Sequence, residues 1–495
     1  MRARYTRAMP LAAPARTGES TSRSARLLAE QAFSRAAGAP LTDGNALELL
    51  IDAEANFDAW HDAIAAARNV VLFENYIFKD DSVGRAFRDA LIERARAGVT
   101  ICVLHDWLGC LGLSGRGFWA PLLEAGGMVR TFNPPAFTSP LGWLSRDHRK
   151  LLVVDGDVAF LGGVCVSATW LGDPARGIPP WRDTGVGVRG PAVAELVRAF
   201  AEIWQQLGDP LPPAITATPE DAVPAGTIAL RVVATVPNTA GLYRLDQLIA
   251  AMARRSLWVT DAYYVGIAPY VQSLIAAVRD GVDVRLLVPG TSDVPAVGML
   301  SRAGYRPLIE AGVRVFEWNG SMLHAKTAVA DGRWARIGSS NLNLASWIGN
   351  CEIDIAVEDA GFAACVERQF EADLAHATEI VLGTPRAARG PVRLQAPHRG
   401  EGSSGRAAAS ALRLANSMGA AITSRRALGP AERAPLLIGG GVLLALAIIA
   451  IVWPRLVAWP GALLMLWFAA SLLMRGAQIV RKHPARRLPP PEEKE

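Results

Sequence analysis

The sequence predicts an α/β protein in which one unit, a mixed β-sheet flanked by helices, occurs twice and is followed by a C-terminal transmembrane helical hairpin. Three observations carry this. Short apolar runs alternate with segments of helical spacing from about residue 41 onward. The same order of elements, ending in the same set of residues, recurs in the second half, and two long apolar runs close the chain. Alternating elements build sheets covered by helices, and self-similarity within a chain marks a repeated structural unit.

Residues 1–40 hold seven Arg against two Glu and no apolar run of signal-peptide length, so they read as a flexible basic arm. The first lobe spans 41–215. Phe57, Trp60 and Ile64 give Ala55–Arg68 helical spacing, and Val70-Val71-Leu72-Phe73-Glu74 reads as a strand covered on both faces. A helix over Val83–Ala97 stops at Gly98 before the strand Val99–Leu104, and Pro121–Gly127 leads into Met128–Phe132. The second lobe, 225–385, repeats the order. Helix Leu245–Ala253, strand Leu257–Thr260, helix Val271–Arg279 and the strand from Gly281 to Val288 precede Leu308–Gly312 and Val313–Phe316. Leu123-Glu124-Ala125-Gly126 and Ile309-Glu310-Ala311-Gly312 stand at equivalent points, and the proline-rich stretch from Leu211 to Pro224 joins the lobes.

Residues 386–434, rich in Pro, Gly and Arg, read as a linker. Leu436–Trp453 and Leu456–Met474 are apolar runs of 18 and 19 residues, each close to the roughly 20 that span a bilayer core. They make a hairpin over 435–475. Arg425, Arg426 and Arg433 precede it and Arg475, Arg481, Lys482, Arg486 and Arg487 follow, which puts both ends in the cytoplasm by the positive-inside rule. A basic tail, 476–495, completes the chain.

The net charge of +5 is unevenly spread: residues 386–495 hold sixteen Lys and Arg against five Glu, leaving 28 basic against 39 acidic residues in 41–385. An acidic middle is a poor footprint for a nucleic-acid enzyme. The five cysteines form no Cys-x-x-Cys pair, so neither a disulfide framework nor a zinc site is indicated, and no cofactor is called for.

The chemistry lies in a doubled motif. His148, Lys150 and Asp155 are spaced as His324, Lys326 and Asp331, and seven residues further on stand Gly162-Gly163-Val164-Cys165 and Gly338-Ser339-Ser340-Asn341. A neutral imidazole is a nucleophile toward phosphorus. A lysine two residues along a strand projects from the same face and neutralises phosphate oxygens, and a glycine turn lets donors approach them. Lobes packed face to face would bring both histidines to one phosphate, one attacking while the other protonates the leaving oxygen. No metal is needed.

Over roughly 45–380 these residues resemble the phospholipase D superfamily, with the signature His-x-Lys-x4-Asp followed by Gly-Gly/Ser-x-Asn. The likeness is greatest to bacterial cardiolipin synthases, through Ser292-Asp293, Ser301-Arg302, Tyr305, Leu308–Val313 and Gly320–Lys326. The resemblance implies two phospholipase D-like lobes and a phosphatidyltransferase. It would move a phosphatidyl group from phosphatidylglycerol or a related phospholipid to a lipid alcohol through a phosphohistidine. It makes His148 the nucleophile and His324 the acid/base, which the residues alone do not rank. Lys150, Lys326, Ser339 and Asn341 would hold the phosphate, and Asp155 and Asp331 would fix the motif's geometry. Glu352 and Asp183 are candidates to orient a histidine through its other nitrogen. The chain departs from the signature at Cys165, where a thiol replaces Asn. A thiol is a poor donor, so one phosphate contact is lost or supplied by Ser167.

The apolar residues of Phe132–Phe137 and Leu141–Leu144 precede His148 and read as core or as a wall admitting acyl chains. The expected partners are phospholipids and the membrane, not nucleic acid, and the expected location is the bacterial inner membrane with the lobes on its cytoplasmic side. The alternatives are a hydrolytic phospholipase D, a nuclease and a catalytically silent scaffold.

Overall fold

The computed structural model describes residues 30–135, 144–216 and 223–382, with scattered positions between 441 and 474. Residues 1–29 of the basic arm, Phe137 and Leu141-Gly142-Trp143 of the apolar loop, the linker, the tail and most of the hairpin lie outside these residues. The positions described within the hairpin, Leu444, Ile448, Val452 and Trp459 among them, are helical, and those four are more than half exposed. Among the described residues no helix is long and apolar enough to cross a membrane.

After a helix over 30–37 (α1), the first half runs β1 (Thr42–Ile51), α2 (Asp52–Ala66), β2 (Val70–Asn75), α3 (Ser82–Arg96), β3 (Thr100–Asp106), α4 (Arg116–Glu124), β4 (Met128–Phe132), β5 (Lys150–Val154), β6 (Val158–Gly162), β7 (Thr184–Arg189) and α5 (Ala192–Gln206). A single turn, α6 (Pro213–Thr216), stands in the join. The second half runs β8 (Ile228–Thr235), α7 (Gly241–Met252), β9 (Ser256–Thr260), α8 (Ala268–Arg279), β10 (Asp283–Pro289), α9 (Pro295–Glu310), β11 (Arg314–Trp318), β12 (Thr327–Ala330), β13 (Trp334–Gly338), β14 (Glu352–Val357), α10 (Ala360–Leu374) and β15 (Ala377–Glu379).

The strands form one sheet whose order, β4-β3-β2-β5-β6-β7-β1-β8-β14-β13-β12-β9-β10-β11-β15, is a mirror about its middle. In each half the first helix-linked strands run parallel, β2–β3–β4 and β9–β10–β11, and the hairpin strands that follow are antiparallel. The lobes therefore do not pack face to face. They join edge to edge through the antiparallel pairs Thr42↔Leu230 and Asn45↔Ile228 of β1 and β8. The reason is physical: each lobe alone would leave a row of unpaired backbone groups at this edge, and pairing the two removes both.

Helices cover both faces. On one face α5 and α10 share a continuous hydrophobic cluster with strands of both lobes, including Leu151, Val153, Leu230, Val232, Ile353 and Ile355. On the other, α2–α4 bury the first lobe around Trp60, Phe73 and Phe87, and α7–α9 bury the second around Leu274, Leu286 and Leu308. This shared layer makes the two lobes one body, and the site lies along its seam.

Candidate active site

Strand alternation decides what faces the seam. In β5, Leu151 and Val153 belong to the core under α5, whereas Leu152 and Val154 belong to the core under α2–α4. His148 and Lys150 share the parity of Leu152, so they project away from α5. Lys326 shares that parity with Ala328 and Ala330, which join the core under α7–α9.

Both histidines are tied to the opposite lobe. Asp147 pairs with Cys351 and Arg182 with Leu323 in isolated parallel bridges. The His148 N–H donates to the Cys351 carbonyl at 2.9 Å and the His324 N–H to the Arg182 carbonyl at 2.7 Å. In each case the next residue along the partner strand is a carboxylate, Glu352 or Asp183. Glu352 Oε2 lies 2.9 Å from His148 Nδ1, and Asp183 Oδ2 lies 2.8 Å from His324 Nδ1.

Electrostatics fixes the tautomers. Burial alone would raise Glu352, but the charge and hydrogen bond of His148, with Lys150 and Ser339, outweigh it and hold the carboxyl below its usual range. Burial likewise opposes ionisation of Asp183, yet His324, Lys326 and Trp170 bring it down to about 2. Burial lowers His148, and burial together with Lys326 pushes His324 down to about 3. At neutral pH both carboxylates are ionised and both imidazoles neutral. Each Nδ1–H donates to its carboxylate, and each Nε2 is left with a lone pair.

The two lysines are buried, Lys150 at 1% exposure and Lys326 at 0%, so their charge is little screened. Lys150 Nζ donates to the His148 carbonyl at 2.6 Å, and Lys326 Nζ donates to the His324 carbonyl. Burial lowers Lys326 to about 8. Each ammonium also lies near an aromatic ring, Tyr76 at 5.1 Å and Tyr263 at 5.7 Å. The same rings stand edge-on to the histidines, at 4.9 Å for Tyr76 and His148 and 5.7 Å for Tyr263 and His324. These tyrosines escaped the sequence reading. The available signal was their equivalent place, each two residues beyond an acidic residue, Glu74 and Asp261, at the end of matching strands.

The other candidates divide. Ser339 Oγ donates to Glu352 at 2.6 Å, so it stands behind the carboxylate of His148. In the first lobe Gly163 holds that place, and any side chain there would meet Asp183 Oδ1 at 2.1 Å. Trp170 Nε1 serves Asp183 instead, at 2.8 Å. Asn341 is buried and its side-chain oxygen has no hydrogen-bond partner among the described residues. Cys165, its counterpart, is 1% exposed, and burial raises its thiol to about 11 against the fields of Lys150 and Lys326. Ser167 does not stand in for it. Its hydroxyl donates to Asp81 at 3.0 Å and accepts from the Thr169 N–H.

Asp155 and Asp331 lie at the far end of their hairpins, in left-handed turn conformations (φ 54° and 53°). Asp155 accepts the backbone N–H groups of Arg68, Asn69 and Val70. Asp331 accepts those of Arg254, Arg255 and Ser256. Each carboxylate thereby fixes its hairpin to the start of the neighbouring strand. Asp331→Ala is expected to cost about 2 kcal/mol through lost charge-assisted hydrogen bonds, read as a lower urea midpoint, while turnover per folded molecule changes little. Burial opposes ionisation of Asp331, but the three N–H groups outweigh it and depress its pKa. The stability it lends is thus present above its ordinary pKa and is lost as pH falls through the depressed value.

Residues 247–374 match the family model described as "Cardiolipin synthase, PLD-like domain". The chain is 36% identical over 375 residues to cardiolipin synthase A of Pseudomonas aeruginosa, covering 74% of each chain. It is 35% identical over 351 residues to cardiolipin synthase A of Pseudomonas putida, covering 69% of this chain and 71% of that one. In fold it is similar to the crystal structure of phosphatidylserine synthase from Haemophilus influenzae, with a TM-score of 0.56 at 13% identity, over 71% of this chain and 91% of that one. The repeated motif, the mirrored sheet and these relatives together show that the chain belongs to the cardiolipin synthase family of phospholipase D-type phosphatidyltransferases.

Proposed function

We propose that this enzyme transfers a phosphatidyl group from phosphatidylglycerol or a related phospholipid to a lipid alcohol through a phosphohistidine, yielding a cardiolipin-type product. The observation that carries the reading is the pair of imidazoles, each held by a carboxylate of the opposite lobe, beside two buried lysines.

The substrate is a phosphodiester monoanion, which the two ammonium groups attract. One imidazole Nε2 attacks phosphorus, the P–O bond to the leaving alcohol breaks, and the other imidazole, neutral in the free enzyme and protonated once the phosphate anion binds beside it, gives its proton to the departing oxygen. In the second half the acceptor hydroxyl loses its proton to that imidazole, a P–O bond forms and the N–P bond breaks. Lys150, Lys326 and Asn341 hold the phosphate, and Glu352 and Asp183 stabilise whichever imidazole carries charge. Asp155 and Asp331 hold the motif's geometry. The resemblance makes His148 the nucleophile. Sequencing the phosphorylated peptide tests that order.

Mass spectrometry of products from purified enzyme and phosphatidylglycerol, with and without phosphatidylethanolamine, tests the reaction. Cardiolipin and glycerol are expected. Phosphatidic acid as the sole product would replace this reading with a hydrolytic one.

The apolar runs of 435–475 support anchoring in the bacterial inner membrane as a hairpin, with flanking arginines keeping the lobes on the cytoplasmic side. Removal of residues 431–495 is expected to release the protein from membranes while activity on detergent-dispersed lipid persists. A truncated protein that still sediments with membranes would overturn the anchor.

A further inference from the structure

Arg146 is the residue whose parity places it in line with His148 and Lys150. It stands two positions before the histidine, its carbonyl accepts the Cys351 N–H at 2.8 Å, and the bridge at Asp147 keeps this stretch extended. Side chains two apart along an extended strand share a face. Asp147 and Arg149 face the other way, where Arg149 reaches the Ala199 carbonyl of α5.

The guanidinium is only partly spent. Nη1 donates to Asp106 Oδ1 at 3.1 Å, while Nε and Nη2 are buried with no hydrogen-bond partner among the described residues. The residue is 8% exposed. Leaving two N–H-bearing nitrogens of a buried cation unpaired is costly, and such groups call for an acceptor. Asp106 offers no further capacity in this direction. It already accepts the N–H groups of Leu108, Gly109 and Asp147.

The fold does not require this ion pair. In the other lobe Met322 stands where Arg146 does, two before the histidine, and Pro289 ends β10 as Asp106 ends β3. The two halves therefore present different chemistry beside their histidines. One is cationic with unspent donors in the planar geometry that suits phosphate oxygens. The other is apolar.

We infer that Arg146 receives a second phosphate, that of the phospholipid whose hydroxyl attacks the phosphatidyl-histidine. The inference rests on the transfer reaction proposed above. Two residues of strand advance about 7 Å, a span of the same order as the three carbons and two ester oxygens that separate the phosphates of a glycerol-bridged product. One phosphate at the histidines and one at Arg146 would thus hold the acceptor's hydroxyl at the reacting phosphorus. The site would choose an acceptor that carries its own phosphodiester over a neutral alcohol or water.

The test is a competition for one intermediate. Full-length enzyme acts on phosphatidylglycerol vesicles containing 1-butanol, and the ratio of cardiolipin to phosphatidylbutanol is read by mass spectrometry. A partition ratio is independent of how much protein is folded and of how fast the donor reacts. Arg146→Met, which copies the other lobe, is expected to lower the ratio at least tenfold. Arg146→Lys, which keeps the charge but not the paired donors, is expected to fall between that variant and the wild type. An unchanged ratio in Arg146→Met, whether or not total turnover falls, overturns the second-phosphate site and leaves the transferase reading intact. Wild-type enzyme that forms phosphatidylbutanol and no cardiolipin overturns the lipid-acceptor reading itself.

Discussion

His148→Ala and His324→Ala are each expected to reduce cardiolipin formation at least about a thousandfold, since in the proposed scheme each removes a nucleophile or a proton carrier of the same reaction. Combining them should add little to the worse single change, because residues that act as a unit are not additive. The measurement is product formation from labelled phosphatidylglycerol, with unfolding curves to show that both variants fold. A leaving group of low pKa separates the roles. With a p-nitrophenyl phosphodiester donor the departing oxygen needs no proton, so the variant lacking the acid should regain release of nitrophenol while the variant lacking the nucleophile should not. If either single variant made cardiolipin at the full rate, the two-histidine scheme would fall.

The second large effect is expected at the carboxylates. Asp183→Asn and Glu352→Gln keep the shape of the contact but remove the negative charge that holds each Nδ1–H and steadies the imidazolium. A loss of about a hundredfold in turnover follows from the usual cost of removing such an outer partner. The pH profile carries the sign. Asp183 acts on His324 by raising its pKa against burial and Lys326, so its removal drops that pKa further and the limb that needs a protonated imidazole moves to lower pH. In the wild type, kcat/KM should also decline as pH rises through about 8, where buried Lys326 sheds its proton. Variants with unchanged profiles would show that the carboxylates serve packing alone.

The α/β rhythm was legible because local signals carry it. Continuous apolar runs and punctuating glycines located β2, β3, β9 and β10 to within a residue or two. The seam was not legible. β1 has an irregular burial pattern, mixing Asn45 and Glu48 with Ala46, Leu47 and Leu49, and nothing in it declares a partner 183 positions away. Contacts of that range are set by the whole sheet and by the paired edges, not by propensity. The candidate site divides in the same way. The histidines and lysines stand out because they occur twice at fixed spacing. Which carboxylate meets which histidine depends on the crossing of Cys351 and Arg182 to the other lobe, which spacing does not encode. Ser167 looked like a spare donor only while its neighbour Asp81 was unseen.

The mirror in the sheet has a consequence for what evolution could do with this enzyme. A two-histidine centre built from two identical chains must present the same surroundings on both sides, so any change that tunes one side alters the other as well. Fusing the copies in one polypeptide lifts that restriction. Cys165 opposite Asn341, Gly163 opposite Ser339 and Arg146 opposite Met322 are changes only a fused pair can hold separately. A reaction that brings two unlike molecules to one phosphorus, a donor and then an acceptor, benefits from that freedom. Symmetry built the centre, and covalent linkage let its two sides become different.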